Sequence, residues 1–227
     1  MSGFSVDWLD LREPADLRAR DASLLAQAKS WLGEDPSSIV VDLGAGTGAT
    51  LRAFIDSGES GSSTPHWRLM DQDAELLAEA RRRFASSHKL ETCELDLANV
   101  SELPLAGIRL VTASAIFDLV SATFIDSLVT TLQSQCRTEA VGLYVALNYD
   151  GTTKWTPAHS LDDPVLSAFN RDQRRNKGLG PALGPKACIY LKQRLITAGF
   201  TVSSASSPWI LDAVDGTLMT ELIRSEE

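Results

Sequence analysis

An acid and three alternating glycines stand together in Asp42-Leu43-Gly44-Ala45-Gly46-Thr47-Gly48. Glycines let backbone approach a ligand closely and take up positive φ, which side chains disfavour. A short apolar run, Ile39-Val40-Val41, precedes them. Ala49 to Ile55 reads as the start of a helix. A strand feeding a glycine turn and then a helix is a general nucleotide cradle. Taken alone, Gly44 to Ala49 also fits a loose GxGxxA dinucleotide pattern. Two details argue against that reading. Asp42 is an acid two residues before the first glycine, where a nicotinamide-binding strand is usually apolar. The next strand-end acid, Asp71, lies 27 residues past Gly44, later than the roughly 20 of the dinucleotide fingerprint.

These residues need elements to position them. Residues 15–32 read as one amphipathic helix, with Pro14 before it and Gly33 as its stop. Further strands are expected over Trp67–Met70, Leu90–Leu95, Ile108–Ala113 and Ala140–Leu147, ending near Asp71, Asp96, Ser114 and Asn148. Asp73 is placed to cap a helix reaching Phe84, and Phe124 to Cys136 forms another. Ser57 to Pro65 is a Gly- and Ser-rich loop. Ala187 to Ala198 is a helix, Thr201 to Leu211 supplies a sixth strand, and Leu218 to Arg224 is a short helix. Such alternation predicts an α/β fold with a doubly wound, mostly parallel sheet. Ligands on these sheets bind beyond the carboxyl ends of the strands, the edge shared by the glycine turn and the strand-end acids.

Asp42-Leu-Gly44-Ala-Gly46-Thr-Gly48 resembles motif I of the class I SAM-dependent methyltransferases (SAM, S-adenosyl-L-methionine). The likeness continues through Asp71, which matches the family's ribose-binding acid after strand two, and Asp96, which matches the acid that meets the adenine amino group. Ser114 falls where the motif after strand four begins. The resemblance covers about residues 39–149. It implies a Rossmann-like sheet of the seven-stranded type, although no seventh strand is evident. It also implies SAM as cofactor, with S-adenosyl-L-homocysteine (SAH) as product. Cofactor contacts would come from Asp42, Gly44, Ala45, Gly46, Gly48, Asp71, Gln72, Asp96, Leu97 and Ser114. Small-molecule members also place an arginine-containing helix over the cofactor. In Arg18-Ala19-Arg20 that role falls to Arg20, on the methionine carboxylate. SAM has no pyrophosphate, and its ribose and adenine donors suit carboxylates.

The segment after strand five is the expected acceptor site. Residues 150–186 carry Lys154, Arg171, Arg174, Arg175, Lys177 and Lys186 against Asp150, Asp162, Asp163 and Asp172. That is net positive inside a chain of net charge −9, and suits a lid over an anionic small molecule. A solvated helix face with a loop accounts for the same residues. Asn170, Arg174 and Lys177 share helical spacing and are expected to face the pocket, with Asp118, Asn148 and Tyr149 at the strand ends. No residue is assigned the chemistry itself. Methyl transfer mainly requires alignment and exclusion of water. The stretch Thr112 to Asp118 lacks the Asn-Pro-Pro-Tyr-like motif of enzymes that methylate base amino groups.

Composition narrows the partners. The chain has 227 residues, 44% of them apolar, enough for a single domain with a full core. The division expected is an N-terminal helical cap over 1–36, a methyltransferase body, and the lid over about 150–186. The acidic balance disfavours nucleic acid. No run of about 18 apolar residues suggests a membrane span. Cys93, Cys136 and Cys188 are scattered, and neither they nor His66 and His88 offer metal-ligand spacing. A cytoplasmic protein, monomeric or homodimeric and without a metal, is expected. The readings weighed against a small-molecule enzyme are a non-catalytic SAM-binding regulatory or assembly protein, a macromolecule methylase, and a nicotinamide-dependent oxidoreductase.

Overall fold

Five parallel strands form the centre of the computed structural model, which describes residues 4–33, 35–56, 65–135 and 140–225. They are β1 (Ile39–Leu43), β2 (His66–Asp71), β3 (Leu90–Glu94), β4 (Leu110–Ser114) and β5 (Gly142–Ala146). Their order across the sheet is β3-β2-β1-β4-β5. The chain steps outward from β1 to β3, then returns to β4 on the other side of β1. That reversal opens a crevice at the carboxyl ends of β1 and β4, the place where such sheets bind ligands.

Composition explains why β1 and β4 lie at the centre. Val40, Val41, Leu43, Leu110, Val111 and Ala113 are all buried, as expected of strands covered on both faces. Side chains alternate between the faces. Val41, Leu43, Val111 and Ala113 join one core cluster with α5 (Ala122–Gln135) and α7 (Ala187–Thr197). Val40, Leu69 and Leu110 join the other, with α2 (Ala22–Leu32), α3 (Ala49–Asp56) and α4 (Ala74–Phe84). Asp73 caps α4 as its position predicted, accepting from the amides of Glu75 and Leu76. No helix among the described residues is long and apolar enough to cross a membrane.

Three expectations need correction. The helix expected over 15–32 is two helices, α1 (Val6–Ala19) and α2, with Pro14 inside the first. The apolar period runs across the join, but Arg20 is extended (φ −64°, ψ 129°). Asp21 then caps α2 by accepting from the Leu24 amide at 2.9 Å. The break turns Arg20 inward, whereas an unbroken helix would have kept it on a helical face.

The sixth strand expected over Thr201 to Leu211 is absent, so the described sheet has five strands. Residues 203–208 read Ser-Ser-Ala-Ser-Ser-Pro, with no alternating apolar face to bury and a proline that cannot donate to a ladder. The chain instead crosses to α1. There the Trp209 indole donates to Asp16 Oδ1 at 2.9 Å, and Arg12 stacks 5.0 Å from the ring centroid. Helix α8 (Gly216–Ser225) follows and packs on α1.

The lid differs as well. Helix α6 (Asp162–Asp172) ends before Arg174, so Asn170, Arg174 and Lys177 do not share one helix. The loop expected over 57–65 lies outside the described residues except for Pro65, and so does Cys136 at the expected end of α5.

Candidate active site

Asp42 is the last polar residue of β1 before the turn and only 1% exposed. The parallel register sets Thr112 of β4 beside it, and the Thr112 hydroxyl donates to Asp42 Oδ1 at 2.6 Å. The other oxygen, Oδ2, meets no donor in good hydrogen-bond geometry, although the nearby Thr50 hydroxyl also helps to hold the carboxyl down. Burial pushes the carboxyl up to about 6, against the pull of the Thr112 hydrogen bond and of the Arg20 charge. Sequence reasoning passed over Thr112. A hydroxyl in the middle of an apolar strand was the available signal, since a buried hydroxyl needs a hydrogen-bond partner, but nothing local says that the partner is Asp42.

Arg20 reaches the same place from the break between α1 and α2. It is 8% exposed, and its Nη2 donates to Ser114 Oγ at 2.9 Å. Ser114 Oγ also shares a 2.8 Å hydrogen bond with Thr50 of α3. The Nε and Nη1 groups of Arg20 are buried without a partner. The crevice therefore holds an orphaned carboxylate oxygen and two orphaned guanidinium donors beside the glycine turn. Buried polar atoms are nearly always satisfied, so the arrangement can take a ligand that brings both an acceptor and a donor.

The turn fits close approach. Gly44, Gly46 and Gly48 all have positive φ, at 64°, 53° and 87°. A Cβ on Gly44 would sit 2.5 Å from Ile116 Cδ1, and one on Gly46 would sit 3.2 Å from Leu9 Cδ1. Leu9 belongs to α1, so that helix lies over the turn. Ala45 is buried, and its amide donates to the Met70 carbonyl at 3.0 Å.

Asp71 braces this loop. Its Oδ2 accepts from the Gly46 amide at 2.8 Å and its Oδ1 from the Asp73 amide at 3.0 Å. Burial raises its pKa, and the two amides pull it down. Gln72 is exposed beside it. Asp96 is exposed and accepts from the Ala98 amide at 2.9 Å, while Leu97 is buried.

At the far end of the crevice, Ala115 and Leu147 follow β4 and β5 with φ of 54° and 61°. Left-handed backbone at non-glycine residues costs on the order of 1 kcal/mol and persists where position matters. The two turns are tied together: the Ala115 amide donates to the Ala146 carbonyl, and the Phe117 amide donates to Asn148 Oδ1. Asn148 is thus committed to holding the crevice. Asp118, in the 3₁₀ turn Phe117–Leu119, is 6% exposed. Burial raises its pKa, opposed by its own amide, the Tyr149 amide and the charges of Arg12 and Lys177. Its Oδ1 has no partner. The Tyr149 ring meets Phe169 of α6 edge-on at 5.3 Å.

The remaining predicted residues divide. Asn170 and Arg174 line one cleft. Lys177 is not in it, and its ammonium lies 3.6 Å from Asp172.

No protein-family model matches the sequence, and no characterised protein matches it. Solved structures do. An O-methyltransferase family protein from Burkholderia thailandensis aligns with TM-score 0.52 and 15% identity over 87% of this chain and 53% of its own. Mycolic acid cyclopropane synthase, complexed with SAH and CTAB, aligns with TM-score 0.55 and 16% identity over 88% of this chain and 72% of its own. A pericyclic reaction enzyme aligns with TM-score 0.53 and 15% identity, covering 82% of this chain and 44% of its own. The chain therefore spans about half the length of the first and third. One fold carries different reactions, and at this identity the fold is what is shared. The five-stranded sheet, its order and its glycine turn give this chain the fold of the class I SAM-dependent methyltransferases.

Proposed function

We propose that the chain is a SAM-dependent methyltransferase acting on an anionic small molecule, working in the cytoplasm as a monomer or homodimer. The observation that carries this reading is the pair of unsatisfied groups beside the glycine turn, Arg20 and Asp42. They match the carboxylate and ammonium of an α-amino acid, the part of SAM that NAD lacks. Arg20 holds the carboxylate through Nε and Nη1, and Asp42 Oδ2 accepts from the ammonium. Asp71 and Asp96 take the ribose and adenine donors, with Gly44 to Gly48, Gln72, Leu97 and Ser114 as their surroundings. Asp71 does this with a carboxylate already steadied by two amides.

SAM, when bound, supplies a methyl group activated by its sulfonium. The chain's own task is alignment and exclusion of water. In this reading the described part of the N-terminal segment up to residue 36 serves as a cap, with helix α1 over the turn, and residues 150–186 serve as the acceptor lid of the same single domain. Asp118 Oδ1 is the group suited to hold a proton released by the acceptor. It is buried, unpartnered and in the 3₁₀ turn that follows β4.

Calorimetry tests the reading first. SAM and SAH are expected to bind and NAD is not; binding of NAD without SAM would sink it. Methyl transfer to a panel of small acids and amines then separates an enzyme from a regulatory SAM-binding protein, which would bind SAM and transfer nothing.

A further inference from the structure

Away from the glycine turn, a cleft of about 470 Å³ opens where α6 meets the turn before α7. Its walls are Ser167, Asn170, Arg171, Arg174, Pro185 and Lys186. Three of these six are cations and none is an acid, in a chain of net charge −9. The neighbouring Arg175 and Lys177 both pair with Asp172. Among the described residues, no ion pair involves Arg171, Arg174 or Lys186. Solvated cations cost little on an open surface. Three gathered around one concavity repel each other until an anion joins them.

The wall is also shaped for more than charge. Asn170 donates through Nδ2 to the Gly151 carbonyl at 3.0 Å, which fixes the amide plane. Its Oδ1 is buried with no partner and is ready to accept from a hydroxyl. A Cβ on Gly184 would lie 3.2 Å from Arg174 Cγ, so the stem of Arg174 packs against that bare backbone. A Cβ on Gly151 would lie 2.7 Å from Pro185 Cβ, so the loop after β5 lies hard against the cleft. Gly151 is two residues past Tyr149, whose amide donates to the Asp118 carboxylate. A short stretch of chain therefore joins the cleft to the end of the crevice.

We propose that this cleft binds the oxyanion of a hydroxylated small molecule, a phosphate or a carboxylate, and that this molecule is the methyl acceptor. Arg171 and Arg174 clasp the oxyanion through their planar guanidinium groups. Lys186 adds a third charge, and Asn170 Oδ1 accepts from a neighbouring hydroxyl. The acceptor role rests on the methyltransferase reading; the oxyanion site does not.

The test titrates pyrophosphate and citrate separately into the full chain at low salt, with and without saturating SAH. Saturable binding of pyrophosphate identifies a phosphate-bearing ligand, and saturable binding of citrate a carboxylate-bearing one. The Arg171→Glu/Arg174→Glu variant is expected to bind the same anion about tenfold or more weakly, with SAH affinity kept as the check on folding. Should that variant fail to fold, Arg171→Gln and Lys186→Gln, both at exposed positions, carry the same comparison. The site is overturned if neither anion binds the unmodified chain saturably, or if the variants bind as tightly as it does. Anion binding without any SAH binding would leave the site standing and remove the methyltransferase reading instead.

Discussion

Replacing Arg20 by methionine is expected to weaken SAH binding by about 3 kcal/mol, roughly 100-fold, through the loss of two charge-assisted hydrogen bonds. The Asp42 carboxyl, which the Arg20 charge pulls down, should rise further, while the packing around the side chain should change little. The guanidinium has one partner in the protein, Ser114 Oγ, and that hydroxyl keeps its hydrogen bond with Thr50. A buried guanidinium with no counter-ion in direct contact carries a desolvation cost that methionine does not, which offsets the loss of its one hydrogen bond, and methionine fills much of the same space. The unfolding free energy should therefore move by less than about 2 kcal/mol while the affinity falls. Arg20→Lys keeps the charge on a compact head and loses the planar donor array, so it should fall between the two. Calorimetry with SAH, alongside urea unfolding of each variant, reads both effects. An unchanged SAH affinity in Arg20→Met would remove this residue from the site.

Asp42→Asn has a different signature, stabilising the free protein while weakening ligand binding. The Asp42 carboxyl stands at about 6 in the folded chain against an ordinary 3.8. Between those values the folded state keeps a proton that the unfolded state has released. Stability from this group is therefore highest at low pH, falls as pH rises from about 4 to 6, and stays low above. The accumulated cost is about 3 kcal/mol. Asparagine carries no such charge and can still accept from Thr112. It should gain about 1 to 3 kcal/mol at pH 8 and lose the slope between pH 4 and 6. SAH affinity at pH 8 should drop about tenfold as the partner of the ammonium is lost. In the unmodified chain, affinity should weaken below about pH 6 as Asp42 takes up its proton. Urea midpoints across pH, with SAH titrations at pH 8, decide the matter. A less stable variant with unaltered affinity would contradict the assignment.

Both effects depend on residues that the sequence announced unequally. Asp42 and the glycines are contiguous, so local spacing alone exposes them. Arg20 was legible as a candidate, but the break that turns it inward was not, because the apolar period of 15–32 runs across Asp21 without interruption. The capping role of Asp21 is visible only once the Leu24 amide is seen to need it. Asp71 was legible as a strand-end acid. Its tie to the Gly46 amide joins residues 25 apart and depends on β1 and β2 being neighbours. At the lid, charge composition pointed to a basic site, and helical spacing chose two of the residues that line the cleft, Asn170 and Arg174. Arg171 and Lys186, which spacing left out, line the cleft; Lys177, which it included, pairs with Asp172. The sixth strand failed for a different reason. Apolar residues at the two ends of 201–211 suggested a strand, while the serines between them leave nothing to bury.

Helix α1 lies over the glycine turn yet buries only Ala15 and Asp16. It is fastened chiefly by ion pairs to the rest of the fold: Asp10 with Arg83 at 2.7 Å, Glu13 with Arg52, and Arg18 with Asp215 at 2.7 Å. The sheet beneath is held by apolar burial. Dissolved salt acts on these two kinds of attachment differently, screening partly exposed charges while leaving the buried sheet core almost untouched. Ionic strength thus becomes a handle on how quickly the cofactor pocket exchanges its contents. Release of SAH followed by stopped flow should quicken as salt is raised, with the urea midpoint nearly fixed. A release rate indifferent to salt would mean that the helix does not gate exit.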